Sequence, residues 1–144
     1  MQIRKIKPQH KTALIELSKN SFGEESWTEK QLEDAITDDN YICIALLDGD
    51  EMLSYLIAVQ TLDDINIVSI ATKRQHQRCG YASMLIKWMI NLCQNVDKTL
   101  SLEVKSKNKE AIDLYTKLGF KTLHLRQKYY RDGDTALIMF YSFT

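Results

Sequence analysis

"HQRCGYASMLIKW", residues 76–88, joins a strand to a helix, and its reading decides the fold. Upstream, "DINIVSIA" (64–71) reads as a strand; downstream, apolar residues recur at helical spacing to about Val96. A strand ending near Ala71, a polar loop and a helix starting near Cys79 bring free backbone N–H groups and the positive end of a helix dipole to one place. Gly80 and Ala82 carry almost no side chain, so an oxygen-rich group can approach the backbone, and Lys73, Arg74 and Arg78 complement negative charge. A diphosphate is the natural candidate.

Working outward, the chain is mixed α/β. "QIRKIK" (2–7) alternates like a short strand, and Pro8 opens a helical stretch in which Leu14, Leu17 and Ser21 share a face. "SWTEKQLEDAI" (26–36) offers two overlapping capping boxes, Ser26 with Glu29 and Thr28 with Gln31. "YICIALLDGDEMLSYLIAVQ" (41–60) is two apolar strands around Asp48 and Gly49, a pair that tight hairpins prefer. With 64–71 it predicts a three-stranded antiparallel meander over residues 40–71. Beyond the 79–96 helix come the strand "TLSLEV" (99–104), a helix ended by Gly119 as its C-cap, and a closing pair of strands.

Composition excludes several classes. The 144 residues suit one domain, 1–144, and no linker, repeat or low-complexity run divides them. Nineteen acidic residues cancel nineteen Lys and Arg, so no global field draws the chain to nucleic acid or to an anionic membrane. The basic run "KRQHQR" (73–78) lacks interleaved aromatic residues and is better explained by phosphates at the anion loop than by direct nucleic-acid binding. The N-terminus has no signal-peptide core and no segment is long enough to span a bilayer, which predicts a cytoplasmic protein. Cys43, Cys79 and Cys93 match neither a disulfide framework nor a zinc spacing, and three scattered histidines add no cluster, so no metal is expected.

Among phosphate loops, a Walker motif needs Gly-Lys-Ser/Thr and a dinucleotide fingerprint needs three glycines; "QRCGYASML" (77–85) has neither. Gln77, Gly80 and Ala82 instead match Q/RxxGxG/A, the acetyl-CoA signature of the GNAT acyltransferases. "SLEVKSKNKEAIDLYTKLGF" (101–120) and "RQKYYRDGDTALIMF" (126–140) resemble the bacterial ribosomal-protein alanine N-acetyltransferases of the RimI type. The resemblance is good over about residues 66–140 and looser before that. It implies the GNAT fold, α/β (α+β), with a largely antiparallel sheet of about seven strands flanked by about four helices. It also implies that main-chain groups near Ile70, Ala71 and Thr72 hold the pantetheine arm of acetyl-CoA. Gln77, Arg78, Cys79, Gly80, Tyr81, Ala82 and Ser83 would then surround its pyrophosphate, and Asn108 would contact the coenzyme.

Acyl transfer to an amine needs a base for the amine proton and an acid for the departing thiolate, on opposite sides. In "TLSLEV", Leu100, Leu102 and Val104 share one face, leaving Ser101, Glu103 and Lys105 on the other. Residues alone leave Glu103 either a solvated strand residue or a base; the resemblance makes it the general base, with partial burial expected to raise its pKa. Ala111, Leu114, Tyr115 and Leu118 form a buried helical stripe, and the resemblance makes Tyr115 the acid that protonates the thiolate. Cys79 allows a rival covalent route, although a cysteine beside a pyrophosphate is poorly placed to reach the acyl carbon. By the same likeness, "EESWTEKQ" (24–31) and "KYYRDGD" (128–134) wall the acceptor groove; the residues alone leave Trp27, Tyr129 and Tyr130 either a clasp for a peptide backbone or surface aromatics that close the core. The implied activity is direct transfer of acetyl from acetyl-CoA to a protein N-terminal amine, with alanine on a small-subunit ribosomal protein as the expected acceptor. The alternatives are a small-amine acetyltransferase, acting on a polyamine or aminoglycoside, and a non-catalytic acyl-CoA-binding module.

Overall fold

The computed structural model describes residues 1–143, and in it strands and helices follow the sequence periods. β1 spans Gln2–Lys5, α1 Lys11–Phe22, α2 Glu29–Thr37, β2 Tyr41–Asp48, β3 Glu51–Gln60 and β4 Asp64–Thr72. α3 spans Tyr81–Val96, β5 Thr99–Lys105, α4 Lys109–Leu118, β6 Phe120–Arg126 and β7 Ala136–Tyr141. The strands form one seven-stranded sheet in the order β1-β2-β3-β4-β5-β7-β6, antiparallel throughout except between β4 and β5. The expected architecture is borne out, including the β2-β3-β4 meander.

Local contacts decide three boundaries that the sequence left open or misplaced. Of the two capping boxes, Thr28 and Gln31 form the one that starts α2: Thr28 Oγ1 accepts from Gln31 N at 3.1 Å, and Gln31 Oε1 accepts from Thr28 N at 2.8 Å. Ser26 turns instead to Ser18, 2.9 Å away, and this bond lets Ser18 occupy the buried stripe of α1 beside Leu14 and Leu17. Ser21, expected on that stripe, is exposed in the last turn. The β2–β3 loop is Gly49 and Asp50, one residue later than expected, because Asp48 already pairs with Glu51. α3 likewise starts at Tyr81, two residues later than Cys79, with Gly80 as its N-cap.

The sheet separates two cores. Leu85, Ile86, Met89 and Ile90 of α3, with Tyr115 of α4, pack against Ile65, Ile67, Leu100, Leu102 and Val104. On the other face, Leu14 and Leu17 of α1 and Leu32, Ala35 and Ile36 of α2 pack against Cys43, Ala45, Tyr55 and Ile57. Between β3 and β4 the register shifts: Ile57 pairs with Ser69 and Ala58 with Ile67, leaving Val68 as the extra residue of a bulge. The bulge reverses the alternation, so Ile67 faces the first core and Ala71 the second. Pairing of β4 with β5 ends there, at Ile67 with Leu102. Beyond it β4 stays with β3 and β5 with β7, and the sheet splays open.

Candidate active site

At the splay a cleft of about 1600 Å³ opens between α1 on one side and α3 and α4 on the other. Its lining contains Ile70, Ala71 and Thr72 of β4, Gln77, Arg78 and Gly80 of the loop, Tyr81, Ala82 and Ser83 of α3, and Asn108 and Tyr115. Cys79 alone among the residues expected at the coenzyme is outside this lining; it is exposed. Among the described residues no side chain caps α3, so the amides of its first turn are open. Arg78 (φ +64°) and Gly80 (φ +83°) are both left-handed, which folds the main chain back just before the helix. A Cβ added to Gly80 would meet nothing within 4 Å, so the approach to the turn is clear.

Two of the basic residues at the turn, Lys73 and Arg78, have acidic partners. Lys73 donates to Glu51 at 3.0 Å, and this bond, first among the causes, holds the Glu51 carboxyl below the usual carboxylate range. Arg78 stands 3.5 Å from Glu110, and both side chains are largely in solvent, so the pair separates cheaply when a phosphate arrives. Asn108 caps α4 by accepting from Ala111 N at 3.2 Å, a structural duty beside any contact with a ligand. These residues fit an acyl-coenzyme A. The open helix start suits its diphosphate, and the edge of β4 beyond Ile67, which β5 has left, suits an amide-bearing arm that bonds as a strand would.

Tyr115 lines the cleft from α4, buried, with its ring centroid 6.0 Å from that of Phe120. Burial pushes its phenol up to about 12, so it stays a protonated donor through the neutral range.

Glu103 lies on the opposite face of the sheet, because Leu102 and Val104 on either side of it point into the α3/α4 core. It is outside the cleft lining, and its side chain is 32% exposed. Its position is one residue past the last β4–β5 pair, at the mouth of the splay. Arg126 Nη1 stands 3.7 Å from Glu103 Oε1. Burial, and then the charge of Glu103, push the Tyr130 phenol up from its ordinary value.

The three aromatic residues expected in one clasp are in two places. Tyr129 and Tyr130 meet edge to face at 5.3 Å in the β6–β7 loop, with Arg126 over the first ring and Lys105 over the second. Trp27 packs edge to face on Tyr41 at 6.3 Å and lines a separate pocket with Gln31 and Asp34.

Sequence reading missed the residues that hold the β6–β7 loop. Asp134 is buried and accepts from Ser106 Oγ, from Thr135 N at 2.8 Å and from Lys107 N at 3.3 Å; the Ser106 bond is the leading reason its carboxyl is held low. Lys105 donates to Asp132 at 3.1 Å and stands 3.7 Å from Glu25. "DGD" looks like an ordinary turn, and the partners that tie it to the rest of the fold, Lys105, Ser106 and Lys107, lie more than twenty residues away in sequence, so no local signal marks it. Among the described residues no group of three His, Cys, Asp or Glu is placed to hold a metal, and no helix is long and apolar enough to cross a membrane.

The arrangement can bring an amine to a carboxylate on one face of the sheet, an acyl group into the splay, and a buried phenol to the other face. The Acetyltransferase (GNAT) family model matches residues 11–120. The [ribosomal protein bS18]-alanine N-acetyltransferase of Escherichia coli strain K12 is 32% identical over 117 residues, 78% of either chain. The crystal structure of the ribosomal-protein-S18-alanine N-acetyltransferase from Escherichia coli superposes with a TM-score of 0.88 at 27% identity, covering 97% of this chain and 92% of that one. Arabidopsis thaliana NAA60 in complex with acetyl-CoA has the same fold, with a TM-score of 0.83 at 14% identity and 97% of either chain covered. The chain therefore belongs to the GNAT family and is an acetyl-CoA-dependent N-acetyltransferase.

Proposed function

We propose that this enzyme acetylates the α-amine of an N-terminal alanine, with ribosomal protein bS18 as the acceptor protein. The names of its relatives in Escherichia coli and Salmonella typhimurium support that acceptor. The observation that carries the mechanism is the placing of Glu103 and Tyr115 on opposite faces of the sheet at one splay.

Acetyl-CoA supplies an activated thioester. The turn at Gly80 and the open first turn of α3 hold its diphosphate, and the free edge of β4 at Ile70–Thr72 holds the arm that leads into the splay. Glu103 Oε1 or Oε2, on the open face, takes the proton that the acceptor amine must lose; an α-amine titrates near pH 8, so a carboxylate is base enough when the amine is already largely neutral. The Tyr115 hydroxyl supplies the proton for the sulfur on the other face. Cys79 is exposed and outside the cleft lining, which favours direct transfer within a ternary complex over a covalent route through its thiol.

Thiol release from acetyl-CoA tests the reading. The purified protein is expected to turn over a peptide with a free N-terminal alanine and to leave the same peptide, blocked at its N-terminus, and spermidine untouched. Turnover of spermidine alone would overturn the acceptor, and the absence of turnover with any amine would overturn the activity.

A further inference from the structure

Trp27, Gln31, Asp34 and Tyr41 line a pocket of about 220 Å³ outside the coenzyme cleft. Two aromatic rings stand edge to face in it, and a carboxylate completes it. Resting on the acceptor reading above, we infer that this pocket binds a basic side chain, arginine best, located about four or five residues into the acceptor polypeptide.

Position comes from the sheet register. Tyr41 pairs with Val59, Val59 with Asn66 and Asn66 with Ser101, so these four side chains form one row on the α1/α2 face. Ser101 Oγ donates to Asn66 Oδ1 at 3.1 Å, which confirms that the row is continuous across the parallel pair. All four residues are half-buried. Glu103 is two residues farther along β5 on the same face. Three strand spacings across and two residues along separate Glu103 from Tyr41 by about 16 Å, which an extended chain covers in about four to five residues. An acceptor whose amine is at Glu103 thus reaches Trp27 along a half-buried floor.

Chemistry comes from the lining. Aromatic faces attract a guanidinium or ammonium group, and the planar guanidinium stacks as well. Asp34 supplies the opposite charge. Its present partner is Lys30 at 2.9 Å, but those side chains are 80% and 58% exposed, so an entering cation displaces Lys30 at little cost. The surroundings agree in sign: residues 24–39 carry seven carboxylates, Asp34 included, against the single lysine Lys30, in a chain whose net charge is zero.

The test is calorimetric titration of the whole enzyme, saturated with coenzyme A so that no turnover occurs. Two alanine-initiated hexapeptides are compared, one with arginine and the other with glutamine at positions four and five. The arginine peptide should bind about tenfold more tightly. Asp34→Asn, a change at an exposed side chain, should remove most of that difference and leave the glutamine peptide unaffected. Equal binding of the two peptides, or a preference that survives both Asp34→Asn and Trp27→Leu, would overturn the inference. Failure of the acetylation reading has a different signature, absent thiol release from acetyl-CoA with either peptide, and leaves the comparison of affinities intact.

Discussion

Lys105 Nζ lies 3.1 Å from Asp132 Oδ2, and this contact joins the strand that carries Glu103 to the loop that carries Tyr129 and Tyr130. The same ammonium is 3.7 Å from Glu25, in the short turn between α1 and α2, and 5.0 Å from the centre of the Tyr130 ring. The Asp132 bond is the main reason the Lys105 pKa is raised, so the bridge stays charged throughout the neutral range. One lysine therefore joins the α1–α2 turn to the β6–β7 loop, the two rims of the proposed acceptor face.

Replacing Lys105 with alanine should raise KM for an acceptor peptide about threefold to fivefold, as expected for losing exposed ion pairs, with a smaller effect on kcat. Lys105→Arg should retain most of the affinity. Steady-state kinetics with varied peptide would check this, and an unchanged KM in the alanine variant would show that the bridge does not position the acceptor.

Glu103→Gln keeps the shape of the side chain and removes its basicity. It should lower kcat by about a hundredfold or more, with KM for acetyl-CoA nearly unchanged. A variant with wild-type kcat would remove Glu103 from the mechanism.

Tyr115→Phe should lower kcat by about tenfold to a hundredfold while the ring contact with Phe120 persists. The pH profile gives a second check. With the phenol pushed up to about 12, the donor form is present below that pH and is lost only as pH rises through it. The wild-type rate should therefore rise as the α-amine deprotonates and stay level from about pH 8 to about pH 10. A descending limb centred near 10 would mean that Tyr115 titrates as an exposed tyrosine and is not the buried acid.

Burial pushes the Cys43 thiol up to about 12 and the Cys93 thiol up to about 11, whereas Cys79 is exposed. A disulfide reagent at pH 8 should modify Cys79 rapidly and leave the two buried thiols untouched until the protein unfolds. Since the folded pKa values lie above the unfolded ones, these thiols contribute their full stability below about pH 9, and that contribution is lost as pH rises toward 11 and 12. Rapid reaction of all three in the native protein would contradict the burial.

Gly119→Ala should destabilise the fold by about 2–3 kcal/mol in urea denaturation. Its φ of +110° strains any side chain, and the added Cβ would lie 2.8 Å from Tyr141 Cε2. Gly80→Ala, at φ +83° with open space around it, should cost only about 1 kcal/mol and act chiefly by raising KM for acetyl-CoA. Equal losses of stability would show that the Tyr141 contact yields without strain.

What the sequence by itself determined is everything set within a turn or two of chain. The meander, the helix after Gly80, the C-cap at Gly119 and the separation of Glu103 from Leu102 and Val104 all follow from periods of two and 3.6 and from turn residues. The matching Q/RxxGxG/A signature singled out the turn that lines the cleft because such a turn is made by consecutive residues. Tertiary structure decided what depends on partners distant in the chain. Val68 bulges only because β3 and β4 pair out of step, and that mismatch ends the β4–β5 ladder beside Glu103. Glu103 stands 3.7 Å from Arg126 of β6 and outside the cleft lining, which its own strand cannot report. Lys105 meets both Glu25 and Asp132 because strand order sets β5 between the α1–α2 turn and the β6–β7 loop, and Trp27 packs on Tyr41 of the following strand in place of the distant tyrosines. Side-chain alternation is a property of a single strand, whereas the walls of a groove belong to whichever elements the sheet sets beside it.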